Sequence, residues 1–194
     1  MTVRTNVDLS KLLLVACDQS YFNYGTLATG MSLAPLPDKS SNDPAYANPD
    51  IYRDLPQFST TSNYKVYQVM ERPEIGAKAV IYEDTATKQV IVAFGGTDGL
   101  DLPDWVTNTQ SVGWKQWEAL VDPERGNLFG RLDALKNSSN MGGTIANIHS
   151  TGQSLGGALA QYAAYEYVRQ QRRAAQQQGG SYTPSNCYEW RRAA

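Results

Sequence analysis

The stretch Thr144-Ile145-Ala146-Asn147-Ile148-His149-Ser150-Thr151-Gly152-Gln153-Ser154-Leu155-Gly156-Gly157-Ala158-Leu159-Ala160 changes its period midway. Residues 144–150 follow a Gly142-Gly143 break and read as a strand. From Ser154 onward Leu155, Ala158, Leu159, Tyr162, Tyr165 and Val168 recur at helical spacing, which predicts a helix to about Arg173. A strand, a glycine-containing turn and a helix in that order form the unit of a parallel α/β sheet. The turn itself, Gly152-Gln153-Ser154-Leu155-Gly156, has the pattern G-x-S-x-G. A serine on so sharp a turn projects its hydroxyl clear of the sheet, and the flanking glycines remove side chains that would clash. The following helix aims its first N–H groups and positive dipole end at the same place, which favours an oxyanion. A plain Gly-rich loop is the competing reading. The preceding β-run and the slim Gly157-Ala158 helix start favour a nucleophile turn.

Working upstream, residues 64–70, 78–82 and 89–94 read as strands. The last, Val90-Ile91-Val92-Ala93-Phe94 after Gln89, is apolar on both faces, as a central strand is. Asp84-Thr85-Ala86-Thr87-Lys88 is a polar loop of hairpin length, so the flanking strands are expected to be antiparallel. Pro103-Asp104-Trp105 opens a short helix, and Leu128, Phe129, Leu132 and Leu135 mark another. Trp105, Trp114 and Trp117 cluster from the first of these onward and read first as packing residues, with an apolar wall for a ligand or an interface-seeking surface as the alternative. Residues 26–61 carry Pro35, Pro37, Pro44, Pro49 and Pro56 and read as a long surface excursion. Near the N-terminus an amphipathic helix over residues 8–21, capped by Asp8, is expected to bury Leu9, Leu12, Leu13 and Ala16. The expected organisation is thus 1–62 as helix plus excursion packed on the core, 63–175 as the α/β core, and 176–194 as a tail.

Composition narrows the classes. A chain of 194 residues suits one domain, and 17 Lys+Arg against 19 Asp+Glu leave a formal charge of −2, which gives no reason to expect nucleic acid as a partner. No apolar run approaches the roughly 20 residues of a membrane-spanning helix. Cys17 and Cys187 fit neither a metal spacing nor a disulfide framework, so no metal and no cofactor is expected. Leu14-Val15-Ala16-Cys17 has the look of a lipoprotein processing site. Its apolar run is shorter than the roughly 7–15 residues of a secretory segment, so a cytoplasmic location is the default.

Three blocks in order carry a family likeness: Val90-Ile91-Val92-Ala93-Phe94-Gly95-Gly96-Thr97, Asp104-Trp105-Val106-Thr107-Asn108, and Thr151-Gly152-Gln153-Ser154-Leu155-Gly156-Gly157-Ala158-Leu159-Ala160. Together, over about residues 64–173, the chain resembles the class 3 lipases, α/β-hydrolases that act on acylglycerols and phospholipids. The resemblance implies an α/β fold with a mixed, mostly parallel sheet and flanking helices. It places Ser154 as nucleophile, Leu155 as a backbone N–H donor to the oxyanion hole, Thr97 as the second donor, and residues 98–103 as the lid. A lipid ester is the implied substrate, met at a membrane or lipid interface. Two positions depart from the family pattern: Gly95 stands where Arg is usual, and Gln153 where His is usual.

The rest of the triad is harder to find. A serine needs a base, and the base needs a carboxylate, in the chain order Ser, Asp or Glu, His. Behind Ser154 there is no His and no Asp, only Glu166 and Glu189. The lone His149 precedes the serine on the incoming strand, on the sheet face below the turn, and reads as a strand histidine. Glu166, twelve residues along the helix, stands about 18 Å from its start. The expectation is an incomplete α/β-hydrolase that stops before its catalytic Asp and His, through truncation or a shifted reading frame near Asn186, with little turnover and self-association through exposed apolar surface. A non-catalytic lipid-binding or regulatory protein and a thioesterase or cutinase-like esterase are the rival readings.

Overall fold

The computed structural model describes residues 6–20, 27–33, 63–96 and 113–181. Expectations that fall on Thr97, the lid 98–103, Trp105, most of the excursion, Cys187 and the end of the tail lie outside them.

Four strands form one sheet in the order β1 (Lys65–Arg72), β2 (Ala77–Asp84), β3 (Gln89–Phe94), β4 (Asn147–Gly152). β1 pairs with β2 and β2 with β3 antiparallel, while β3 and β4 run parallel. The sheet is mixed, with helices on both faces. Among the described strands one pairing is parallel, fewer than a mostly parallel sheet would have, because the connections β1–β2 and β2–β3 are too short to cross over. The β2–β3 loop is closed by Asp84, whose carboxylate accepts from the Ala86 N–H (2.9 Å), the Thr87 N–H (3.3 Å) and the Thr87 hydroxyl (2.6 Å). β3 is buried at every position after Gln89, as expected of a central strand.

Alternation along β2 and β3 sorts two apolar layers. Val80, Tyr82, Ile91 and Ala93 meet α1 (Asn6–Gln19) through Val15 and Ala16. Ala79, Ile81, Val90, Val92 and Phe94 meet α2 (Trp114–Val121), α3 (Leu128–Lys136) and α4 (Leu155–Gln177) through residues such as Trp117, Leu120, Leu128, Leu132, Leu155 and Leu159. α1 begins earlier than expected, so Asp8 lies inside it. Its buried side is Val15, Ala16 and Cys17, with Leu9, Leu12 and Leu13 half-buried. Small and β-branched residues let the helix lie close on the flat sheet, which longer leucines would hold off.

The same rule shifts the stripe on α4. Leu155 and Leu159 are buried as expected, but the inner face continues through Ala160, Ala163 and Ala164, and Tyr165 is 72% exposed. The tryptophans divide. Trp117 is core, edge-on to Phe129 at 6.1 Å, whereas Trp114 is 44% exposed and donates its indole N–H to Glu118 Oε1 (2.7 Å). No described helix is long and apolar enough to cross a membrane.

Candidate active site

β3 and β4 end level with each other, Phe94 opposite Gly152. The chain leaves β4 at Gly152, and α4 starts three residues later at Leu155, with Ser154 as its N-cap at φ 54°, ψ −125°. That is the conformation of the first central residue of a type II′ turn, which glycine dominates; a side chain held there costs on the order of 1–3 kcal/mol. Ser154 is exposed, while Leu155 and Gly156, the first two residues of the helix, are buried.

The two glycines of the pattern act by close approach. A Cβ on Gly152 would overlap the Gly156 carbonyl and come within 2.9 Å of the Gly157 nitrogen; one on Gly156 would overlap the Phe94 carbonyl oxygen. Neither glycine has a positive φ. The helix start is therefore pressed between the ends of β3 and β4, and the positive φ falls on the serine between the two glycines. Gly113, at the head of α2, is drawn in as well: its missing Cβ leaves room for Leu155 Cδ1 and Leu159 Cδ2.

This geometry puts the Ser154 side chain at the N-terminus of a helix spanning Leu155–Gln177. The Gly157 N–H already donates to the Ser154 carbonyl (3.0 Å), and the earlier N–H groups of the helix have no intrahelical acceptor. A helix start of this kind stabilises negative charge developing on a nearby oxygen. The Leu155 amide is the first of these groups.

His149 pairs with Ile91 across β4 and β3, which sets it on the α1 face. It lies three residues below the strand end, about 10 Å at strand rise. Burial holds its imidazole below the ordinary histidine value. Glu166 sits far down α4, where it accepts from Arg169 Nη2 (2.8 Å) and Gln170 Nε2 (3.4 Å). The structure thus brings Ser154 and Leu155 together at one point and sends His149 and Glu166 elsewhere. Among the described residues no cluster of His, Cys, Asp and Glu is arranged to hold a metal. The cavity between β4, α3 and α4, lined by Val92, Ile148, Ser150 and Tyr167 among others, measures about 20 Å³, room for one water and too small for an acyl chain.

Two contacts at β4 were not readable from the motif. The Ser150 hydroxyl donates to the Ala160 carbonyl in α4 (3.1 Å), and the Thr151 hydroxyl donates to the Leu13 carbonyl in α1 (3.2 Å). The available signal was a pair of adjacent hydroxyls on a strand, which alternation sends to opposite faces.

Neither a protein-family model nor a curated protein matches the sequence. Solved structures do: a fungal lipase at 16% identity, and a mutant form of MDLA from Penicillium cyclopium at 17% identity, each with a TM-score of 0.53 over 86% of this chain. The chain spans 59% of the length of each. At these identities the likeness is one of fold: the mixed sheet and flanking helices of this chain match part of the α/β fold of those lipases.

Proposed function

We propose that Ser154 is the acyl-accepting nucleophile of a class 3 lipase-like carboxylic ester hydrolase whose substrate is a lipid ester, an acylglycerol or phospholipid. The observation that carries this reading is the conformation of Ser154 itself. A serine held at φ 54°, ψ −125° between two glycines that admit no side chain costs stability, and such strain persists where function uses it. Leu155 donates its backbone N–H to the oxyanion. Thr97, which follows β3 in the sequence, supplies the second donor; Ser154 attacks the ester carbonyl, the ester C–O bond breaks and the alcohol leaves with the serine proton, and water then hydrolyses the acyl-enzyme to release the fatty acid and restore the hydroxyl.

Within these 194 residues the one imidazole is His149, on the α1 face below the turn, which leaves Ser154 without a histidine base in this chain and its turnover low. The placement of His149 is also what favours the rival, a non-catalytic lipid-binding protein that keeps the turn as structure. Imidazole added to the buffer separates them by standing in for the missing base. Hydrolysis of a p-nitrophenyl acyl ester is measured with and without imidazole, for the parent and for Ser154→Ala. The hydrolase reading expects an imidazole-dependent rate, above that of imidazole alone, in the parent and not in Ser154→Ala. Equal rates in the two proteins at every imidazole concentration support the non-catalytic reading. A high rate without imidazole contradicts the missing base.

A further inference from the structure

The backbone of Ser154 lies outside the ordinary wells, and such a residue relaxes unless the structure on both sides of it is fixed. On the helix side the fixing is plain: Gly156 is packed against the Phe94 carbonyl. On the strand side, pairing with β3 alone fixes β4 along one edge. The two hydroxyls immediately upstream of the turn add restraint in the remaining directions. Ser150 and Thr151 are neighbours, so their side chains leave opposite faces of the sheet. One reaches the Ala160 carbonyl of α4, the other the Leu13 carbonyl of α1. A carbonyl inside a helix accepts one N–H and keeps a second lone pair, so neither bond disrupts its helix.

The acceptor in α1 is well anchored. Val15 and Ala16 are buried against Val80, Tyr82, Ile91 and Ala93, and the Tyr82 hydroxyl donates to Gln19 Oε1 (2.9 Å) near the end of the same helix. The bond from Thr151 therefore ties the strand end to a fixed body.

We propose that Ser150 and Thr151 are positioning residues that hold the Ser154 turn from both faces of the sheet, and that α1 is part of the support of the site through the Leu13 carbonyl. Neither residue touches substrate. The chemical consequence rests on the reading of Ser154 as nucleophile; the mechanical one does not.

The test compares hydroxyl removal with hydroxyl retention in the full chain, using Thr151→Val, Thr151→Ser and Ser150→Ala. The first readout is hydrogen exchange of the Gly157 amide, which donates to the Ser154 carbonyl, set against amides in β2 and β3. Loss of one hydroxyl bond is expected to speed Gly157 exchange about tenfold in Thr151→Val and Ser150→Ala. β2 and β3 stay at parent rates, and Thr151→Ser behaves as the parent. The proposal is overturned if Gly157 exchange stays at the parent rate in both hydroxyl-free variants, if the increase is equal throughout β2 and β3, or if Thr151→Ser exchanges as fast as Thr151→Val. A Thr151→Val protein that does not fold also counts against it, since the hydroxyl would then serve the whole fold. The second readout is the rate of fluorophosphonate labelling with imidazole present, expected to fall in Thr151→Val and recover in Thr151→Ser. A parent protein that takes no label removes the nucleophile reading, while exchange at Gly157 still decides the positioning.

Discussion

Two helices of this protein begin on a residue of nearly the same φ. Asn127, before α3, has φ 53° and ψ 43°; Ser154, before α4, has φ 54° and ψ −125°. The first pair of angles is the left-handed well, which asparagine enters at little cost. The second is a glycine conformation occupied by a serine. Their surroundings differ in the same sense. The nearest atoms to a Cβ on Gly130, in the first turn of α3, belong to the side chain of Asn127, a group able to turn away, whereas those nearest a Cβ on Gly156, in the first turn of α4, belong to the backbone at the end of β3. An unusual φ alone therefore says little. What marks the α4 start is strain combined with surroundings that cannot yield.

The sharpest way to break this contrast is to place the same methyl group at both helix starts. Gly156→Ala is expected to destabilise by about 3 kcal/mol, because main-chain atoms would have to move. Gly130→Ala is expected to stay within about 1 kcal/mol of the parent, since alanine favours the helix and the Asn127 side chain can adjust. Urea denaturation of both variants checks this, and equal losses would erase the distinction.

A smaller effect of opposite sign is expected at the serine. Ser154→Gly relieves the strained backbone and should raise stability by about 1 kcal/mol, after allowing for the greater freedom of glycine in the unfolded chain. Asn127→Gly, already in a comfortable well, should change stability by only a few tenths of a kcal/mol. Thermal melts of the pair, run side by side, decide whether strain is confined to Ser154.

The gentlest test concerns β4, the strand that feeds the strained start. Burial lowers the His149 pKa in the folded protein. The unfolded chain therefore takes up this proton first as pH falls, near the ordinary value of about 6.5. Stability from this group is complete above that pH and declines as pH drops from there toward the lower folded value. In His149→Gln that part of the slope should vanish in urea titrations between mildly acid and neutral pH. An unchanged slope would mean the imidazole is not buried on the α1 face.

Sequence alone reached the G-x-S-x-G turn and the elements on either side of it, because the apolar period changes there and two glycines mark the change. It also reached the β2–β3 hairpin, where Asp84 and a short polar loop leave the chain few options. The α2 helix was not legible: Trp114 and Trp117 read as packing residues, and no apolar repeat announced a helix around them. Nor was the division of labour along β4. That His149 and Thr151 meet α1 while Ser150 meets α4 depends on the register with β3 and on which helix covers which face, and neither is encoded in any single stretch. On α4, helical spacing put Tyr165 inside, whereas close packing against the sheet selects Ala160, Ala163 and Ala164.

Everything distinctive about the α4 start is explained if Ser154 attacks an electrophile. The most direct measurement is mass spectrometry of the protein after treatment with a fluorophosphonate in the presence of imidazole, for the parent and for Ser154→Ala. A single adduct mapped to the peptide containing Ser154, and absent from Ser154→Ala, is the predicted result. No adduct, or one carried equally by Ser154→Ala, would contradict it.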